Sequence, residues 1–456
     1  MGLNDLMSQE QLEIALSARG MSRRQFLDRA SRMGLAVGGA ITFASFLAAC
    51  GGSTSTTTTS SSGNTDINKL FPGSGKEIGQ GVTIQDGMML AVTGQGSFFG
   101  KVMSRGAKLA AKQIKAAGGP EFSITIADHQ SGLVPPAVTG VRQLITRNKI
   151  STLQTSYGAP SEAIIPLLEE NKVLSFNGGG SSPGQLNKDF LWQTRMLFAF
   201  DPADGGLAWL AKNHPEVKKL AVLGTNENGV ETWKEKVPRI WPLLSKGGSI
   251  VTREIHDVGL TDFNAIIARV KASGADGVFT VSFGNDLGYT VKQFRQANYT
   301  APIVGIEFTQ QAQEIAGPSY DTFVFATDYF DVKSKNPFTA QLVAAHKAEY
   351  GEDVEYYGAN YYEQVFVIWE LMRRVIKKGG DPKNAPALQQ ALKDNPTFMS
   401  VYGGDANKPG TMSFDLTDHS ISKPMGVFAV KNGAPILLNE IKKVGTSDDP
   451  ATALIS

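Results

Sequence analysis

The strongest constraint on the fold is a repeated alternation of short apolar runs with amphipathic helical segments. In the first half of the chain, the sequence predicts strands at residues 88–92, 122–127, 151–155 and 173–176. Between the first two strands, apolar residues recur at helical spacing on one face, as at Met103, Ala107, Ala110 and Ile114. Strands separated by helices pair in parallel, with the helices covering the sheet. This half is therefore predicted to be an α/β unit.

The same alternation starts again after residue 202. Predicted strands lie at residues 220–223, 250–255, 277–281, 302–305 and 323–326, and predicted helices at residues 231–247, 261–273 and 286–298. The chain length of 456 residues suits two or three domains. We therefore predict an α/β fold with two open parallel-sheet, Rossmann-like lobes. Because open parallel sheets bind ligands at the carboxyl ends of their strands, we expect the ligand site in the cleft between the lobes.

Four segments follow predicted strands and are candidates for that site. Residues 94–100 are glycine-rich but have one residue too many for a dinucleotide-binding loop, so a nucleotide site is disfavoured. Residues 155–161 precede a helix whose free amides can hold an anion, although Ser156 or Ser161 can equally act as an ordinary N-cap. Residues 177–183 suit close backbone contact with a ligand or a flexible linker. Glu307, taken by itself, is typical of a solvated surface residue.

Composition excludes several classes of function. The chain has 44 Lys and Arg against 43 Asp and Glu, which gives no basis for binding nucleic acid or anionic lipid. The five histidines lack metal-ligand spacing, and the sequence contains neither a Gly-x-Ser-x-Gly elbow nor a phosphate-binding loop. We therefore expect no enzyme activity, no catalytic residues, no metal site and no cofactor.

Two further expectations concern the region between residues 328 and 369. The segment 356–369 is aromatic and apolar, and we expect it to form a helix that packs in the core. The neighbouring acidic residues are expected to be solvated: Asp328, Asp331, Glu352, Asp353 and Glu355.

The first fifty residues have the features of an export signal. Five arginines precede residue 33, and residues 33–49 carry no charge. That run is short and glycine-rich for a membrane span, which needs about 20 residues. Residues 22–27 resemble the twin-arginine export motif, and residues 47–50, Leu-Ala-Ala-Cys, resemble a bacterial lipobox. We expect removal of residues 1–49 and lipid attachment at Cys50, the one cysteine in the sequence.

Residues 50–84, rich in Gly, Ser and Thr, are predicted to be a tether.

Together these features resemble the substrate-binding proteins of branched-chain amino acid ABC transporters, the Leu/Ile/Val-binding protein family. The resemblance covers residues 85–444 and rests on the order and spacing of segments 94–100, 128–130, 178–183, 294–297 and 305–307. It implies a type I periplasmic-binding fold, in which two lobes joined by three crossing segments close over a ligand. We place the crossings near Phe200, Tyr329 and Met412. Lobe 1 would then comprise residues 85–201 and 330–411, lobe 2 residues 202–329 and 412–446, and a tail residues 447–456.

The resemblance also implies how lobe 1 would bind an amino acid. The backbone amides of Tyr157 and Gly158, together with the hydroxyl and amide of Ser181, would bind the ligand carboxylate. A carbonyl oxygen of Gly179 or Gly180 would accept a hydrogen bond from the ligand ammonium. Many members have Ser where this chain has Gly158, and Ser156 or Ser161 is a candidate to replace that hydroxyl.

The second lobe would supply the charged partner. Glu307 matches the acidic residue that pairs with the ammonium in amino-acid-binding members, which reverses the expectation from its strand end alone. Phe99 would line the pocket from lobe 1, and Phe283 or Asn285 from lobe 2. Asn228 stands where many members have Tyr, so the side-chain preference of the pocket stays open.

The function implied is that of a lipid-anchored extracytoplasmic receptor of an ABC importer. It would bind an amino acid or related polar solute between its lobes and deliver it to a membrane permease, as a monomer. The alternative is a ligand-sensing receptor of the same fold that binds an amide, urea or an aromatic acid and signals to a partner.

Overall fold

The computed structural model describes residues 64–180, 182–195, 200–226, 232–423 and 425–441. The predicted signal, Cys50, the first part of the tether, Ser181, Asn228 and the tail lie outside the described residues. Among the helices in the described ranges, none combines the length and the apolar character needed to span a bilayer.

Lobe 1 is built on a five-stranded parallel sheet with the strand order β2-β1-β3-β4-β5. Its strands are β1 (Thr83–Leu90), β2 (Glu121–Asp128), β3 (Thr152–Ser156), β4 (Leu174–Gly179) and β5 (Leu191–Gln193). The helices of this part are α1 (Asn64–Leu70), α2 (Ser97–Ala116), α3 (Val134–Thr146), α4 (Gly158–Ala163) and α5 (Ile165–Asn171). The residues of β3 are all buried, as expected for a parallel strand covered on both faces.

Lobe 2 is built on a seven-stranded sheet with the order β15-β14-β10-β9-β8-β6-β7. Its strands are β6 (Lys219–Thr225), β7 (Ser249–His256), β8 (Gly277–Val281), β9 (Ile303–Gly305), β10 (Phe323–Asp328), β14 (Met425–Lys431) and β15 (Ala434–Ile441). The helices are α6 (Phe200–Asn213), α7 (Val237–Leu244), which follows a π-helical turn at Thr232–Lys236, α8 (Asn264–Ala272), α9 (Gly284–Gln296) and α10 (Gln310–Ala316). Strands β6 to β10 pair in parallel, whereas β14 and β15 add antiparallel to the edge.

A later segment of the chain returns to lobe 1. It consists of α11 (Pro337–Tyr350), α12 (Tyr356–Lys377), α13 (Ala385–Asp394), β11 (Thr397–Gly404), β12 (Pro409–Phe414) and β13 (Ile421–Ser422). Helix α12 packs against α2 within one continuous hydrophobic core. The contact is close, because a Cβ atom at Gly106 would overlap the carbonyl oxygen of Gly358. The prediction of a core helix at residues 356–369 is confirmed.

The chain crosses between the lobes three times, and on its return to lobe 1 the strands β11, β12 and β13 form a separate antiparallel sheet. The crossings fall between Gln193 and Lys219, between Asp328 and Thr397, and between Ser422 and Met425. Met412, where we expected the third crossing, lies inside β12 opposite Phe398 and in the lobe 1 core. The third crossing is therefore later than expected, because β12 and β13 extend the pairing that begins with β11.

The start of the folded part also differs from the expectation. Residues 64–82 were assigned to the tether, but α1 is a helix and Phe71 stacks on Phe366 with ring centroids 5.0 Å apart. The Trp369 indole donates to the carbonyl oxygen of Ile78 at 2.8 Å. The few apolar residues of this polar segment, including Ile67, are buried against α11 and α12. Burial against partners distant in sequence explains why local composition failed to predict it.

Candidate functional site

The carboxyl ends of β3 and β8 carry matching turns, one in each lobe. Ser156 is the last residue of β3, and Tyr157 and Gly158 lead from it into α4. In the same way Ser282, Phe283 and Gly284 follow β8 and lead into α9. Each turn therefore places an aromatic residue and a glycine amide at the start of a helix. The two turns face the gap between the lobes, since a Cβ atom at Gly284 would lie 3.6 Å from the ring of Phe99 in α2.

A buried histidine supports each turn from behind. The Nδ1 atom of His129 accepts the Gly132 amide at 3.0 Å, so Nε2 carries the proton and donates to the Ser156 hydroxyl at 2.9 Å. In lobe 2, Nδ1 of His256 lies 3.0 Å from the Asp257 carbonyl oxygen, and Nε2 lies 3.0 Å from the Ser282 hydroxyl. Burial lowers the pKa of His129 to about 4 and also lowers the pKa of His256, which keeps both rings neutral near pH 7.

Tyr157 adopts a backbone conformation that few residues other than glycine tolerate. Its φ is 67° and its ψ is 147°. Its amide donates to the Gly179 carbonyl oxygen at 3.0 Å. The assignment of this amide to a ligand carboxylate is therefore corrected: the amide already has a partner in β4. The ring lies over His129, with centroids 4.7 Å apart, and its hydroxyl occupies the space that a Cβ atom at Gly96 would need.

The glycine-rich loop after β4 packs directly on this turn. A Cβ atom at Gly180 would lie 3.1 Å from the Tyr157 Cα and 3.2 Å from the Gly158 nitrogen. Gln185 fixes the loop by donating to the Gly158 carbonyl oxygen at 3.0 Å. Gly158, Gly179 and Gly180 thus lie together, with the Gly158 amide at the first position of α4. The carbonyl oxygens predicted to accept from a ligand ammonium already have partners: that of Gly179 accepts the Tyr157 amide, and that of Gly180 accepts the Asn177 side-chain amide. Because α4 has only six residues, anion binding there would depend on individual N–H groups rather than on a helix dipole.

Two hydroxyls proposed as replacements for a missing serine are engaged elsewhere. Ser161 donates to the Thr155 hydroxyl at 3.0 Å, and Ser156 donates to the Met89 carbonyl oxygen at 3.2 Å. Both side chains are buried, and neither forms a side-chain cap on α4. These contacts argue against Ser156 or Ser161 as a ligand-binding hydroxyl, and against the ordinary N-cap alternative.

Glu307 lies just beyond β9 and is fully buried. Its Oε1 accepts the Gly284 amide of lobe 2 at 3.0 Å, and its Oε2 accepts the Tyr357 hydroxyl of lobe 1 at 3.2 Å. Burial raises the pKa of Glu307 to about 7, opposed by the Gly284 amide, the charge of Arg195 and the Tyr357 hydroxyl. Glu307 therefore occupies the amide at the start of α9. The matching amide in lobe 1 is that of Gly158, the first residue of α4.

Behind Glu307 lies a network that the sequence reading missed. Arg195, which follows β5, donates from Nε to Asp328 at 2.6 Å and from Nη1 to the Tyr357 hydroxyl at 2.9 Å. Its guanidinium also lies over the ring of Tyr357, 4.8 Å from the centroid. Asp328 was expected to be solvated, but only 3% of its surface is exposed. It is buried because the Arg195 guanidinium neutralises it.

A second carboxyl group lies near Glu307. Glu355 precedes α12, and its Oε1 accepts the Gln310 amide of α10 at 3.1 Å, which joins the two lobes. Its Oε2 is buried and accepts no hydrogen bond from the residues in the described ranges. Burial, reinforced by the charge of Glu307, raises the pKa of Glu355 to about 7. Glu355 was expected to be solvated and is instead partly buried, whereas Glu352 and Asp353 are exposed as predicted.

The predicted residues of the described chain form one contiguous cluster. Phe99 contacts Tyr157 and Tyr357 edge to face, with centroids 6.5 and 5.2 Å away. Phe283 is half-buried and adjoins the amide held by Glu307, while Asn285 has a buried Oδ1 without a partner in the described part of the chain. Sequence reasoning missed Tyr357 and Arg195. The feature that could have indicated Tyr357 is the pair Tyr356 and Tyr357 at the start of the core helix, because a buried tyrosine hydroxyl needs a hydrogen-bond partner.

The site contains no metal-ligand cluster, since no group of three His, Cys, Asp or Glu in the described ranges is arranged to hold a metal ion. Its components are instead backbone amides, aromatic rings and the buried carboxyl group of Glu307, which is linked through the Tyr357 hydroxyl to the Arg195 guanidinium. Such a set can bind a small molecule with an anionic end toward lobe 1 and a cationic end toward lobe 2.

Comparison with known proteins agrees with this architecture. The sequence profile described as "Periplasmic binding protein" matches residues 83–435. Leu/Ile/Val-binding protein homolog 1 of Brucella suis biovar 1 is 24% identical over 348 residues, covering 72% of this chain and 89% of that protein.

Two solved structures have the same fold. The leucine-binding protein of Thermotoga maritima has a TM-score of 0.67 at 20% identity, covering 78% of this chain and 98% of its own. An ABC transporter solute-binding protein of R. palustris, crystallised with benzoate, has a TM-score of 0.69 at 16% identity, covering 82% and 98%.

Proposed function

The chain belongs to the periplasmic binding protein family, as the resemblance predicted, and we propose that it is the extracytoplasmic solute receptor of an ABC importer that binds an amino acid between its lobes. The permease of that importer would be its partner. The observation that carries this proposal is the position of Glu307, a buried carboxyl group held between the lobes. Relatives named for leucine, isoleucine and valine support the amino acid assignment.

Electrostatics favours a ligand with an ammonium group. A buried carboxylate is costly without a charged partner, and the raised pKa of Glu307 reflects that cost. An ammonium group bound to Glu307 would compensate the buried charge by a charge-assisted hydrogen bond. The ligand carboxylate would then lie at the Gly158 amide of lobe 1, and Ser181 is the further carboxylate contact that the family resemblance implies. Opposite ends of one zwitterion would thus bind opposite lobes, so that binding favours closure.

A thermal-shift screen tests this function. The protein is unfolded and refolded to remove carried ligand, then heated with amino acids, amides, urea and aromatic carboxylates. A true ligand at 100 times its Kd should stabilise the fold by ~2.7 kcal/mol, a shift of a few degrees. Shifts confined to amino acids would support the proposal. Shifts confined to compounds that lack an ammonium group would overturn it.

One observation favours a second candidate, a receptor for aromatic acids. A Glu307 that is neutral near pH 7 can donate a hydrogen bond to a carboxylate, and the aromatic rings of Phe99, Tyr157 and Tyr357 lie next to one another near it. The two candidates differ in the sign of their pH dependence. A zwitterion needs ionised Glu307 and binds more tightly above pH 7, whereas an aromatic acid needs the protonated form and binds more tightly below pH 7.

The lipid anchor is a separate proposal that rests on the sequence around Cys50. Cys50→Ala should release the protein from the membrane fraction, because acylation requires the thiol and the new amino terminus of that residue. Retention of the variant in the membrane fraction would show that residues 33–49 act as an uncleaved anchor.

Replacing Arg23 and Arg24 by lysine should block export if the twin-arginine route is used.

A further inference from the structure

We propose that Tyr357 and Arg195 are specificity-determining residues of the ligand site, with Tyr357 coupling the charge of Arg195 to Glu307 and so selecting a ligand with a cationic end. The inference rests on the proposed function. It adds Tyr357, which reaches Glu307 from the opposite lobe, and Arg195, which lies in the first crossing segment behind Tyr357.

The direction of the hydrogen bonds follows from chemistry. A guanidinium group has only donors, so Nη1 of Arg195 must donate to the Tyr357 hydroxyl oxygen, 2.9 Å away. The hydroxyl proton is therefore available for Glu307, whose Oε2 lies 3.2 Å away. Each bond polarises the next, and the partial positive charge that reaches the carboxyl group favours its ionised form.

Arg195 is held too firmly to bind the ligand itself. Its Nη2 donates to the Thr327 hydroxyl at 3.1 Å and to the Tyr356 hydroxyl at 3.4 Å, in addition to the bonds to Asp328 and Tyr357. Its side chain is 11% exposed, and the ring centroid of Tyr356 lies 5.2 Å from the guanidinium carbon. All three of its nitrogens are engaged, so the guanidinium can act on the ligand site only through its neighbours.

Other groups near Glu307 oppose its ionisation. Burial raises the pKa of Glu307, and the charge of Glu307 together with burial raises the pKa of the neighbouring Glu355. The titratable and charged groups that interact with Glu307 from the surrounding elements are Arg195, Tyr320, Glu355, Tyr356 and Tyr357. Among these, Arg195 and Tyr357 stabilise the carboxylate. Asp328 pairs with Arg195 on the far side of that guanidinium. Without the Tyr357 hydroxyl, Glu307 should remain protonated to higher pH.

The chain offers a matched control for this idea. Tyr356 and Tyr357 are adjacent, both buried and both bonded to Arg195, but only the Tyr357 hydroxyl bonds to Glu307 among the described contacts. Tyr357→Phe removes the link to Glu307 and keeps the ring and the Arg195–Asp328 pair. Tyr356→Phe removes a hydroxyl of similar environment without touching Glu307.

Calorimetric titration with leucine, valine and alanine from pH 6 to pH 8.5 tests the inference. The Tyr357→Phe variant should bind about fivefold more weakly than wild type at pH 7, with the midpoint of its pH profile about one unit higher. Tyr356→Phe should keep the wild-type midpoint. Arg195→Lys, which can keep an ion pair with Asp328 but not the full set of bonds, should shift the midpoint in the same direction as Tyr357→Phe.

The outcomes distinguish a failure of the role proposed for Tyr357 and Arg195 from a failure of the proposed function. If wild type binds an amino acid but Tyr357→Phe and Tyr356→Phe share its pH midpoint, the inference is wrong and the proposed function stands. If wild type binds none of the three amino acids but binds benzoate, the proposed function fails and the inference fails with it. Unchanged circular dichroism and melting behaviour in the Phe variants would confirm that they fold.

Discussion

The Glu307 carboxyl group receives one hydrogen bond from each lobe, the Gly284 amide and the Tyr357 hydroxyl. This arrangement makes a single residue sensitive to closure, to protonation and to the charge of the ligand. Burial raises its pKa to about 7, so modest changes of pH alter the charge that the ligand meets.

The first prediction concerns the pH dependence of binding. The affinity for an amino acid should fall as the pH is lowered through about 7, because protonation removes the charge on Glu307. At pH 5.5 the ionised fraction is only a few per cent, so Kd should rise by about 30-fold relative to pH 8. Titration calorimetry at both pH values measures this. Constant affinity across the range would mean that Glu307 does not carry the recognition.

The second prediction is the effect of Glu307→Gln at pH 8. The substitution keeps the shape and the acceptor for the Gly284 amide but removes the charge, so binding of an amino acid should weaken by ~2 to 4 kcal/mol. The variant should also lose most of the pH dependence seen in wild type. Glu314→Gln, an exposed residue in the same lobe, is the control and should bind like wild type. Equal affinities in both variants would remove Glu307 from the site.

The sequence predicted a set of candidate site residues, whose role in binding stays a prediction, but it did not predict the residues that support them. Glu307, Phe99 and the glycines of residues 179–180 come together as expected, because strand ends of open sheets converge. Asp328 could not be assigned to the interior from sequence alone, since its partner Arg195 is 133 positions away in the chain. The Tyr157 amide was misassigned because its bond to Gly179 depends on an unusual φ that no local pattern reveals.

Secondary-structure elements were predictable where they were buried and periodic. The nine predicted strands all correspond to observed strands, with ends that differ by a few residues. The sequence did not predict the three-residue strand β5 or the antiparallel strands β11 to β15. It also did not predict α1, which packs on α11 and α2. Parallel strands covered on both faces have continuous apolar runs, whereas edge and antiparallel strands have weaker patterns.

The third prediction concerns the packing of α2 on α12. Gly106→Ala should destabilise the fold by ~1 to 3 kcal/mol, because the new methyl group would overlap the Gly358 carbonyl oxygen on a rigid backbone. Lys108→Ala, at an exposed position of the same helix, should change stability by less than ~0.5 kcal/mol. Chemical denaturation compares the two variants. Equal stabilities would show that the helices can separate without cost.

Considered as a whole, the molecule has buried charges at its crossing segments. Arg195 joins the first crossing to Asp328 at the second, and Lys423 at the third pairs with Glu363 of α12. Each of these side chains is at least partly buried. A buried charge needs its oppositely charged partner, so each pair fixes two specific segments of the chain against each other. The crossings therefore have defined positions around which the lobes can close.

The fourth prediction is that the unliganded protein is less stable at pH 8.5 than at pH 6.5. Burial raises the pKa of Asp86 and Glu307 to about 7 and of Asp286 to about 6, well above their unfolded values. An acid with a raised folded pKa stabilises the fold at low pH, and that contribution is lost as the pH rises through the folded pKa. Burial lowers the pKa of His129 to about 4. This histidine destabilises the fold only below about pH 6.5, where the unfolded chain takes up a proton that the folded protein does not, so it does not affect the range from pH 6.5 to pH 8.5.

Differential scanning calorimetry of the refolded protein checks this slope. The melting temperature should decrease between pH 6.5 and about pH 8 and then level off, because the carboxyl groups with pKa values of about 6 to 7 are ionised by then. Glu307→Gln should reduce the decrease because one titrating group is removed. A melting temperature that is flat or increases over this range would contradict the assignment of these carboxyl groups as buried and protonated.

The measurement that tests the central claim most directly uses a matched pair of ligands. Leucine and 4-methylpentanoate share a side chain and a carboxylate, but only leucine has the ammonium group that Glu307 is proposed to bind. Calorimetric titration of the refolded protein at pH 8 should show binding of leucine and none of 4-methylpentanoate. Binding of 4-methylpentanoate as tight as that of leucine, or tighter, would contradict the claim that this receptor recognises an amino acid through Glu307.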